Sequence, residues 1–266
     1  MNSALKLLKD SKSARWIVLL SLSIPMFASY FFDDLFTTIS HIFQNPDMVA
    51  LGWSISDYGF YGGAYSLLCV WGGLVICGML LDKWGVRITG SLFVGLMVIG
   101  SIIVVYAISE TFSESSLAIW LGRFFTKPSL ALAYAGCAIF GLGSEIAGVA
   151  VTRSIAKWFK GKEMALAMGL QLALARLGTA IAIIVVPRLV NIEQSFVPFS
   201  ETSKPAVVGL ILMTVALALW GFFLIMDSKL DRQTADEARR NNTETVKEDK
   251  FKFSDIFKIL GNKHFI

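Results

Sequence analysis

The sequence predicts an all-α membrane protein, a bundle of six transmembrane helices. Of the 266 residues, 55% are hydrophobic, and the mean hydropathy is +0.63. Six apolar runs follow one another, and each is long enough to cross the hydrocarbon core, which takes about 20 residues of helix. Such long runs with so few charges exclude an ordinary soluble domain and indicate a polytopic membrane protein.

The first predicted span covers 16–39 and follows a cationic segment at 1–15. This segment has the charge of a signal-peptide start, but the apolar run behind it is too long and ends without a small-residue cleavage pattern. We therefore expect 1–15 to remain as a short cytoplasmic N-terminal segment. Pro25 lies inside the span and predicts a kink, because proline removes a hydrogen bond from the helix.

The later spans are separated by turns and polar loops. A tight turn at 82–87 joins the second span to the third, and Pro187 closes the fifth. The second span is rich in glycine, which lets helix backbones approach closely in lipid. The five spans after the first are expected at 56–81, 88–108, 129–156, 164–186 and 206–226.

From its first span to its sixth, the predicted bundle occupies 16–226, and two segments follow it. Residues 227–250 are charged and lack apolar periodicity, which predicts a disordered cytoplasmic linker. Residues 251–266 alternate apolar and polar side chains in an amphipathic pattern, which predicts a helix lying in the membrane interface.

Lysine and arginine predict the orientation of the bundle. The N-terminal segment, two alternate loops and the tail hold 19 of the 24 such residues, whereas the other three loops hold four. Lysine and arginine are enriched on the cytoplasmic side of a membrane. Both ends of the chain are therefore expected in the cytoplasm, which agrees with an even number of spans.

No arrangement in the sequence indicates catalysis or a bound cofactor. All three cysteines, Cys69, Cys77 and Cys137, lie in apolar runs and are expected to pack as small apolar residues. The two histidines are isolated, and we find no nucleophile–base pair, phosphate-binding loop or metal-ligand spacing. We expect no enzyme activity, no metal and no cofactor.

Two charges stand in the middle of apolar runs, Glu145 in the fourth span and Arg176 in the fifth. A charge at membrane depth costs about 2.5–3.5 kcal/mol on insertion scales, so it persists where it faces a wet cavity or a partner. Both residues are expected about 18–21 Å from the same membrane face, at about 1.5 Å per residue. This arrangement suits the two ends of a zwitterion. The alternative is an internal ion pair that only braces the bundle.

The turn after the second span carries the pattern G-x-x-x-D-[RK]-x-G-x-[RK] at Gly78, Asp82, Lys83, Gly85 and Arg87. Glycine permits the tight turn, and the charges can hold it against a neighbouring helix. The pattern and its position resemble the signature between helices two and three of the major facilitator superfamily. The resemblance implies one half of a twelve-helix fold and a gating role for this motif. It also implies a second six-helix half outside this sequence, to which 251–266 would lead, as in a truncated product.

A closer resemblance, to the lysosomal dipeptide transporter branch of that superfamily, is carried by the fourth and fifth spans. Its elements are Glu145, WFKGKE at 158–163, GLQL at 169–172 and ARLG at 175–178, with a weaker likeness at 29–34. The resemblance implies that Glu145 binds the amino terminus of a peptide and that Arg176 binds its carboxylate. Cys137 replaces an arginine common in the superfamily, and the fifth span lacks a Gly-Pro pair, which weighs against drug efflux.

Three further residues are candidate substrate contacts. Asp34 is expected to contact a substrate amine or a proton, or else to be hydrated near the outer interface. Tyr30 is expected to line the path through its hydroxyl, with helix packing as the alternative. Gln171 is expected to contact substrate, with a hydrogen bond between helices as the alternative.

Two expectations concern the ends of the spans. Thr152 and Arg153 are expected to pair with the turn at Asp82 on the cytoplasmic side. Three tryptophans, Trp16, Trp53 and Trp158, lie near span ends, where tryptophan is enriched at the membrane–water interface, so we expect them to act as interface anchors.

These observations predict a secondary active or facilitative transporter of small zwitterions, with dipeptides as the first candidates, that works by alternating access in a lipid bilayer. One alternative is a carrier of organic anions or another small metabolite, with proton coupling through Glu145. Another is a membrane scaffold that does not transport. Nucleic acid is not expected as a partner, and an accessory subunit is suggested only by family analogy. Plasma, bacterial inner and lysosomal membranes would all fit.

Overall fold

The computed structural model describes residues 7–190 and 196–240, and these residues are almost entirely helical. Short 3₁₀ turns precede the first helix and follow it at Leu8–Asp10, Thr37–Gln44 and Pro46–Met48. An isolated parallel bridge joins Val49 to Val197. The α-helices are α1 Lys12–Asp34, α2 Ile55–Leu68, α3 Leu74–Ala107, α4 Glu110–Ser113, α5 Ser116–Leu121, α6 Pro128–Trp158, α7 Met164–Leu189 and α8 Phe199–Arg240.

The segment from Ile55 to Ala107 crosses the bundle twice. At about 1.5 Å per residue a straight helix of its 53 residues would be about 80 Å long, far more than the hydrocarbon core. The chain reverses at Gly85, whose φ of 78° and ψ of 168° are accessible essentially only to glycine. The Thr89 hydroxyl donates to the Leu80 carbonyl at 3.1 Å, a contact between residues nine apart that a continuous helix forbids. The predicted tight turn at 82–87 is therefore confirmed.

Five helical segments of the described residues are long and apolar enough to span a membrane. Because one of them folds back at Gly85, they supply the six crossings that the sequence predicts. A short π-helical stretch, Cys69–Gly73, links α2 to α3. The Gly72 φ of 94° interrupts the helix there.

Two groups of packed helices form the bundle. The long helix α6 packs along α3 and against α2, and α1 packs between α7 and α8. The two groups are joined by α8, which packs against α3, and by α1, which touches α6. Buried aromatic side chains fill the junctions, for example Phe32 of α1 against Phe140 of α6, with ring centroids 4.9 Å apart. The junction of α1, α2, α6 and α7 is the part of the bundle that holds the candidate site.

Several predictions about the ends of the spans are wrong. α8 continues to Arg240, so the part of the predicted linker that the structure describes, 227–240, is helical. Ion pairs of Asp227 with α6 and of Asp231 with α3 hold the first residues of this part against the bundle. The rest of that linker and the predicted interfacial helix at 251–266 lie outside the described residues. The loop predicted at 109–128 contains α4 and α5, each begun by a serine cap.

Two tryptophans are core residues and not interface anchors. Trp53 is fully buried, and its indole N–H donates to the Ser129 hydroxyl at 3.0 Å. Trp158 is also buried, and its indole N–H donates to the Asp227 carboxylate at 3.0 Å. Each indole thus finds its polar partner inside the protein, so neither ring needs the headgroup region to satisfy its N–H.

The crossing of α1 and α7 depends on Gly178, which leads to the first prediction. A Cβ at Gly178 would lie 2.1 Å from the Phe27 carbonyl oxygen, which is backbone and cannot move aside cheaply. We expect Gly178→Ala to lower stability by about 1–3 kcal/mol, the usual cost of overpacking. The measurement is the thermal unfolding midpoint in detergent. The matched control is Gly169→Ala in the same helix, where a Cβ meets nothing within 4 Å. Equal midpoints for the two variants would contradict the close crossing.

Candidate functional site

A cavity of about 490 Å³ opens where α1, α2, α6 and α7 meet. Its volume lies within the range of small-molecule pockets. Both polar and apolar side chains line it, which suits a solute with charged ends and an apolar body. The lining residues are Met26, Tyr30, Tyr65, Ser144, Glu145, Gly148, Val149, Thr152, Arg153, Ala156, Gln171, Leu172 and Ala175.

Glu145 contributes the carboxylate of this cavity. It lies on α6, 13 residues before the end of the helix at Trp158, which corresponds to about 20 Å. Its neighbour Ser144 is buried and is held by two hydroxyl contacts, one with Ser29 of α1 and one from the Tyr65 hydroxyl of α2 at 3.0 Å. These bonds join three helices beside Glu145 and therefore fix the position of the α6 backbone that carries it.

Arg176 lies next to the cavity, against its tyrosine wall. It is 12 residues into α7, about 18 Å from the start of that helix, and so at nearly the same depth as Glu145. Its guanidinium carbon is 4.5 Å from the centroid of the Tyr30 ring, which is within the range of a cation–π contact. Tyr30 itself lines the cavity with Glu145. Arg176 thus contacts a residue of the cavity wall that Glu145 also lines.

Neither charge forms an ion pair within the described part of the chain. The ion pairs between residues of 7–190 and 196–240 involve other side chains. Both Glu145 and Arg176 are exposed on the isolated bundle. The alternative of an internal pair that only braces the helices therefore has no contact to support it in these residues.

Gln171 and Asp34 differ in their placement. Gln171 is 6% exposed and lines the cavity, and its amide makes no hydrogen bond to any described residue. Asp34 lies at the end of α1, and its carboxylate accepts a hydrogen bond of 2.6 Å from the Thr179 hydroxyl of α7. Asp34 is not among the residues that line the cavity, although it joins the same two helices as Tyr30 and Arg176.

The motif between the second and third crossings lies at one end of the bundle, together with the C-terminal end of α6 and the last part of α8. We call this region the basic end. Arg153 of α6 contacts the Asp82 carboxylate at 2.5 Å, as predicted. Thr152 instead donates to the Gly148 carbonyl in its own helix. Arg87 contacts Asp231 of α8 at 2.8 Å, and Gly85 forms the reversal described above.

The remaining motif residues have no comparable contacts. Lys83 is exposed and forms no ion pair with a described residue. Gly78 faces open space, since a Cβ there would meet nothing within 4 Å. The motif therefore joins α3 to α6 through Asp82 and to α8 through Arg87.

Sequence reasoning missed four residues that complete the site and its support. Ser29 and Ser144 bond to each other, Thr179 holds Asp34, and Asp227 joins α8 to α6. Small polar residues within apolar runs are the signal that marks such contacts, because hydroxyls commonly hydrogen-bond across membrane helices. Their partners cannot be inferred from spacing, since each pair is formed between distant helices. No group of three or more potential metal ligands occurs in the described residues.

The chain belongs to the major facilitator superfamily. The family model described as Major Facilitator Superfamily matches residues 22–265. The protein is accordingly an integral, multi-pass, all-α membrane protein from a family of transporters and not of enzymes.

The curated relatives that match the chain share one name. The chain is 31% identical over 167 residues to the lysosomal dipeptide transporter MFSD1 of Homo sapiens, which covers 63% of the chain and 31% of that protein. It is 30% identical over 210 residues to the Danio rerio protein of that name, covering 76% of the chain and 39% of the relative. The chain spans about a third of the length of these relatives. No solved structure matches it.

Proposed function

We propose that the chain is the N-terminal half of a transporter that moves small zwitterionic solutes, and dipeptides in particular, by alternating access. The observation that carries the proposal is the pair formed by Glu145 and Arg176. The two charges lie at nearly the same depth, Arg176 against the Tyr30 ring and Glu145 in the cavity that Tyr30 also lines, and neither is paired with a described residue. Charges inside a membrane bundle mark substrate or ion pathways by default.

The chemistry of the two side chains suits the two ends of a peptide. The Glu145 carboxylate would bind an ammonium group, and the Arg176 guanidinium would bind a carboxylate through two parallel hydrogen bonds. Gln171 can both donate and accept, so it suits the amide between those ends. Met26 and Leu172 add apolar surface for side chains of the solute. Asp34 is proposed as a further contact or proton site, reached through the α1–α7 junction that it shares with Thr179.

Alternating access requires a second bundle, because such transporters rock two halves around a central site. A second six-helix half outside this sequence is therefore part of the proposal, as the relatives' greater length suggests. The basic end would face the cytoplasm with both ends of this chain, since lysine and arginine favour that side. The relatives named above are lysosomal, which supports that membrane as one candidate.

The Asp82–Arg153 pair is proposed to act in the gate, which gives a second prediction. Both side chains are partly exposed, so the pair adds only about 0.2–1 kcal/mol to stability. We expect Asp82→Arg or Arg153→Asp alone to reduce dipeptide flux at least about tenfold, because like charges in place of the pair would disfavour the closed state of the gate relative to the open one. The double exchange is expected to recover most of the flux. Thermal midpoints of all three variants should stay near the wild-type value, and a double exchange as inactive as the singles would contradict a gating pair.

The test of the function is reconstitution of the chain with the second half of one of its full-length relatives in proteoliposomes. Uptake of a labelled neutral dipeptide is measured with and without a proton gradient, and unlabelled dipeptide is compared with a dicarboxylate as competitor. Preferential competition by the dipeptide supports the proposal. Preferential competition by the dicarboxylate favours an organic-anion carrier with Arg176 as its anchor. A folded, reconstituted protein without any uptake favours a scaffold that does not transport.

A further inference from the structure

A second cavity in the described residues is larger than the one beside Glu145. A cleft of about 850 Å³ lies at the basic end, between the turn at Gly85, the C-terminal end of α6 and the last part of α8. The transport proposal uses Arg153 of this cleft in the gate but assigns the cleft no ligand. Its lining residues are Lys9, Trp84, Gly85, Val86, Arg87, Ile88, Arg153, Ser154, Ala156, Lys157, Lys160, Asp227, Leu230, Asp231 and Thr234.

The charge of the cleft is positive. Five lysine and arginine side chains line it against two aspartates. Both aspartates are already engaged, because Lys157 contacts Asp227 at 2.8 Å and Asp231 at 2.6 Å, and Arg87 contacts Asp231 at 2.8 Å. The acidic residues of the cleft are thus neutralised by two of its own cations.

Two of the remaining cations form no close ion pair in the described part of the chain. Neither Lys9 nor Lys160 forms an ion pair there, and Lys160 is exposed. The nearby Asp10 is occupied by Lys162, whose hydrogen bond holds the pKa of that carboxyl below its usual range. Excess positive charge therefore concentrates where Lys9 and Lys160 meet the cleft, and an anion placed there would gain charge-assisted hydrogen bonds.

Apolar side chains stand at the rim of the same cleft. Trp84 and Ile88 line it and are 45% and 63% exposed. Tryptophan is enriched at the level of lipid headgroups, and basic pockets between membrane helices on the cytoplasmic side bind phosphorylated lipid headgroups. Positive charge next to apolar rim residues suits a ligand that has a phosphorylated head and an acyl tail.

We propose that this cleft binds a phosphomonoester-bearing anion, and that Lys9 and Lys160 provide the main attraction for its phosphates. The exposed rim at Trp84 and Ile88 favours a membrane lipid as the source of the headgroup over a free phosphate compound. Because the cleft is formed by α3, α6 and α8, its occupant would contact all three helices next to the Asp82–Arg153 pair.

The test uses the full chain in nanodiscs. One arm measures retention of phosphatidylinositol bisphosphate in a phosphatidylcholine bilayer, against phosphatidylserine at equal total charge. The other arm titrates soluble inositol trisphosphate in a bilayer of phosphatidylcholine alone. Lys9→Ala/Lys160→Ala is compared with Lys12→Ala/Lys229→Ala, which removes the same charge from exposed positions outside the cleft.

We expect binding to weaken roughly 30-fold in the cleft variant, which is about 1 kcal/mol for each lysine, and to change little in the control. If the protein binds both the lipid and the soluble inositol trisphosphate, or the lipid alone, the cleft is a site for a lipid headgroup. If it binds the soluble compound alone, the cleft is an anion site whose ligand is a free phosphate compound. Three results would each overturn the proposal. Binding could weaken equally in both variants, or it could stay unchanged in the cleft variant. The protein could also retain phosphatidylinositol bisphosphate no better than phosphatidylserine and bind no soluble inositol trisphosphate. None of these outcomes depends on transport.

Discussion

Arg176→Ala should abolish most dipeptide transport by the reconstituted protein. If the Arg176 guanidinium holds the substrate carboxylate, its removal leaves that charge without a partner at membrane depth, which costs about 2–5 kcal/mol. The corresponding loss of apparent affinity is about 30-fold to several thousand-fold. Arg176→Lys should recover only part, since lysine keeps the charge but loses the two parallel hydrogen bonds. The measurement is uptake of labelled dipeptide as a function of its concentration.

The role of Arg176 is distinguished from a structural one by changing the substrate. A dipeptide with an amidated carboxyl end should bind the wild-type protein weakly and should lose little more on Arg176→Ala, because the two changes remove the same contact. Glu145→Gln should show the same pattern with an N-acetylated dipeptide. Arg188→Ala is the matched control, since Arg188 is an exposed arginine near the end of the same helix. An amidated peptide as sensitive to Arg176→Ala as the free peptide would contradict the carboxylate assignment.

Asp227→Ala should destabilise the bundle by about 2–4 kcal/mol. The carboxylate is buried and accepts hydrogen bonds from the Lys157 ammonium at 2.8 and 3.0 Å and from the Trp158 indole at 3.0 Å. Its loss removes charge-assisted bonds and leaves the buried indole N–H unsatisfied, each of which costs about 1–3 kcal/mol. The thermal unfolding midpoint in detergent measures the effect.

The neighbouring Asp231 provides the control for this prediction. It lies one helical turn further along α8 and also contacts Lys157 and Arg87, but its side chain is 37% exposed. Exposed ion pairs contribute about 0.2–1 kcal/mol, so Asp231→Ala should have a small effect. Asp227→Asn should fall between the two, because it keeps an acceptor for the indole. If Asp231→Ala is as damaging as Asp227→Ala, burial is not the source of the stabilisation.

The candidate site illustrates how far spacing along a membrane helix can be used. The depths of Glu145 and Arg176 follow from their distance in residues to the helix ends, because the rise of an α-helix is constant. The contact partners of the two side chains do not follow from this rule. Tyr30 lies on a third helix, more than a hundred residues from Glu145, and its position against the Arg176 guanidinium depends on how α1 packs between its neighbours.

Asp34 shows the same limit. Its place near the outer end of the first span could be predicted from the sequence. That place left two roles open, contact with a substrate amine or a proton and simple hydration near the outer interface. The hydrogen bond from Thr179 of α7 is formed by packing of α1 on α7 and has no counterpart in local sequence. Whether Asp34 contacts substrate remains part of the proposal and is testable by Asp34→Asn in the uptake assay.

By itself the sequence determined the membrane class, six crossings, the reversal at Gly85 and the two charges at mid-depth. Each of these depends on a property that a residue or a short run carries anywhere: apolar length, the backbone freedom of glycine, or the cost of a charge in lipid. Only the tertiary structure decided that α8 continues to Arg240, that Trp53 and Trp158 are buried, and that Asp227 joins α8 to α6. Those outcomes depend on contacts between residues about 70 or more apart, such as Lys157 with Asp227, and the energy of such a contact exists only after the helices have packed.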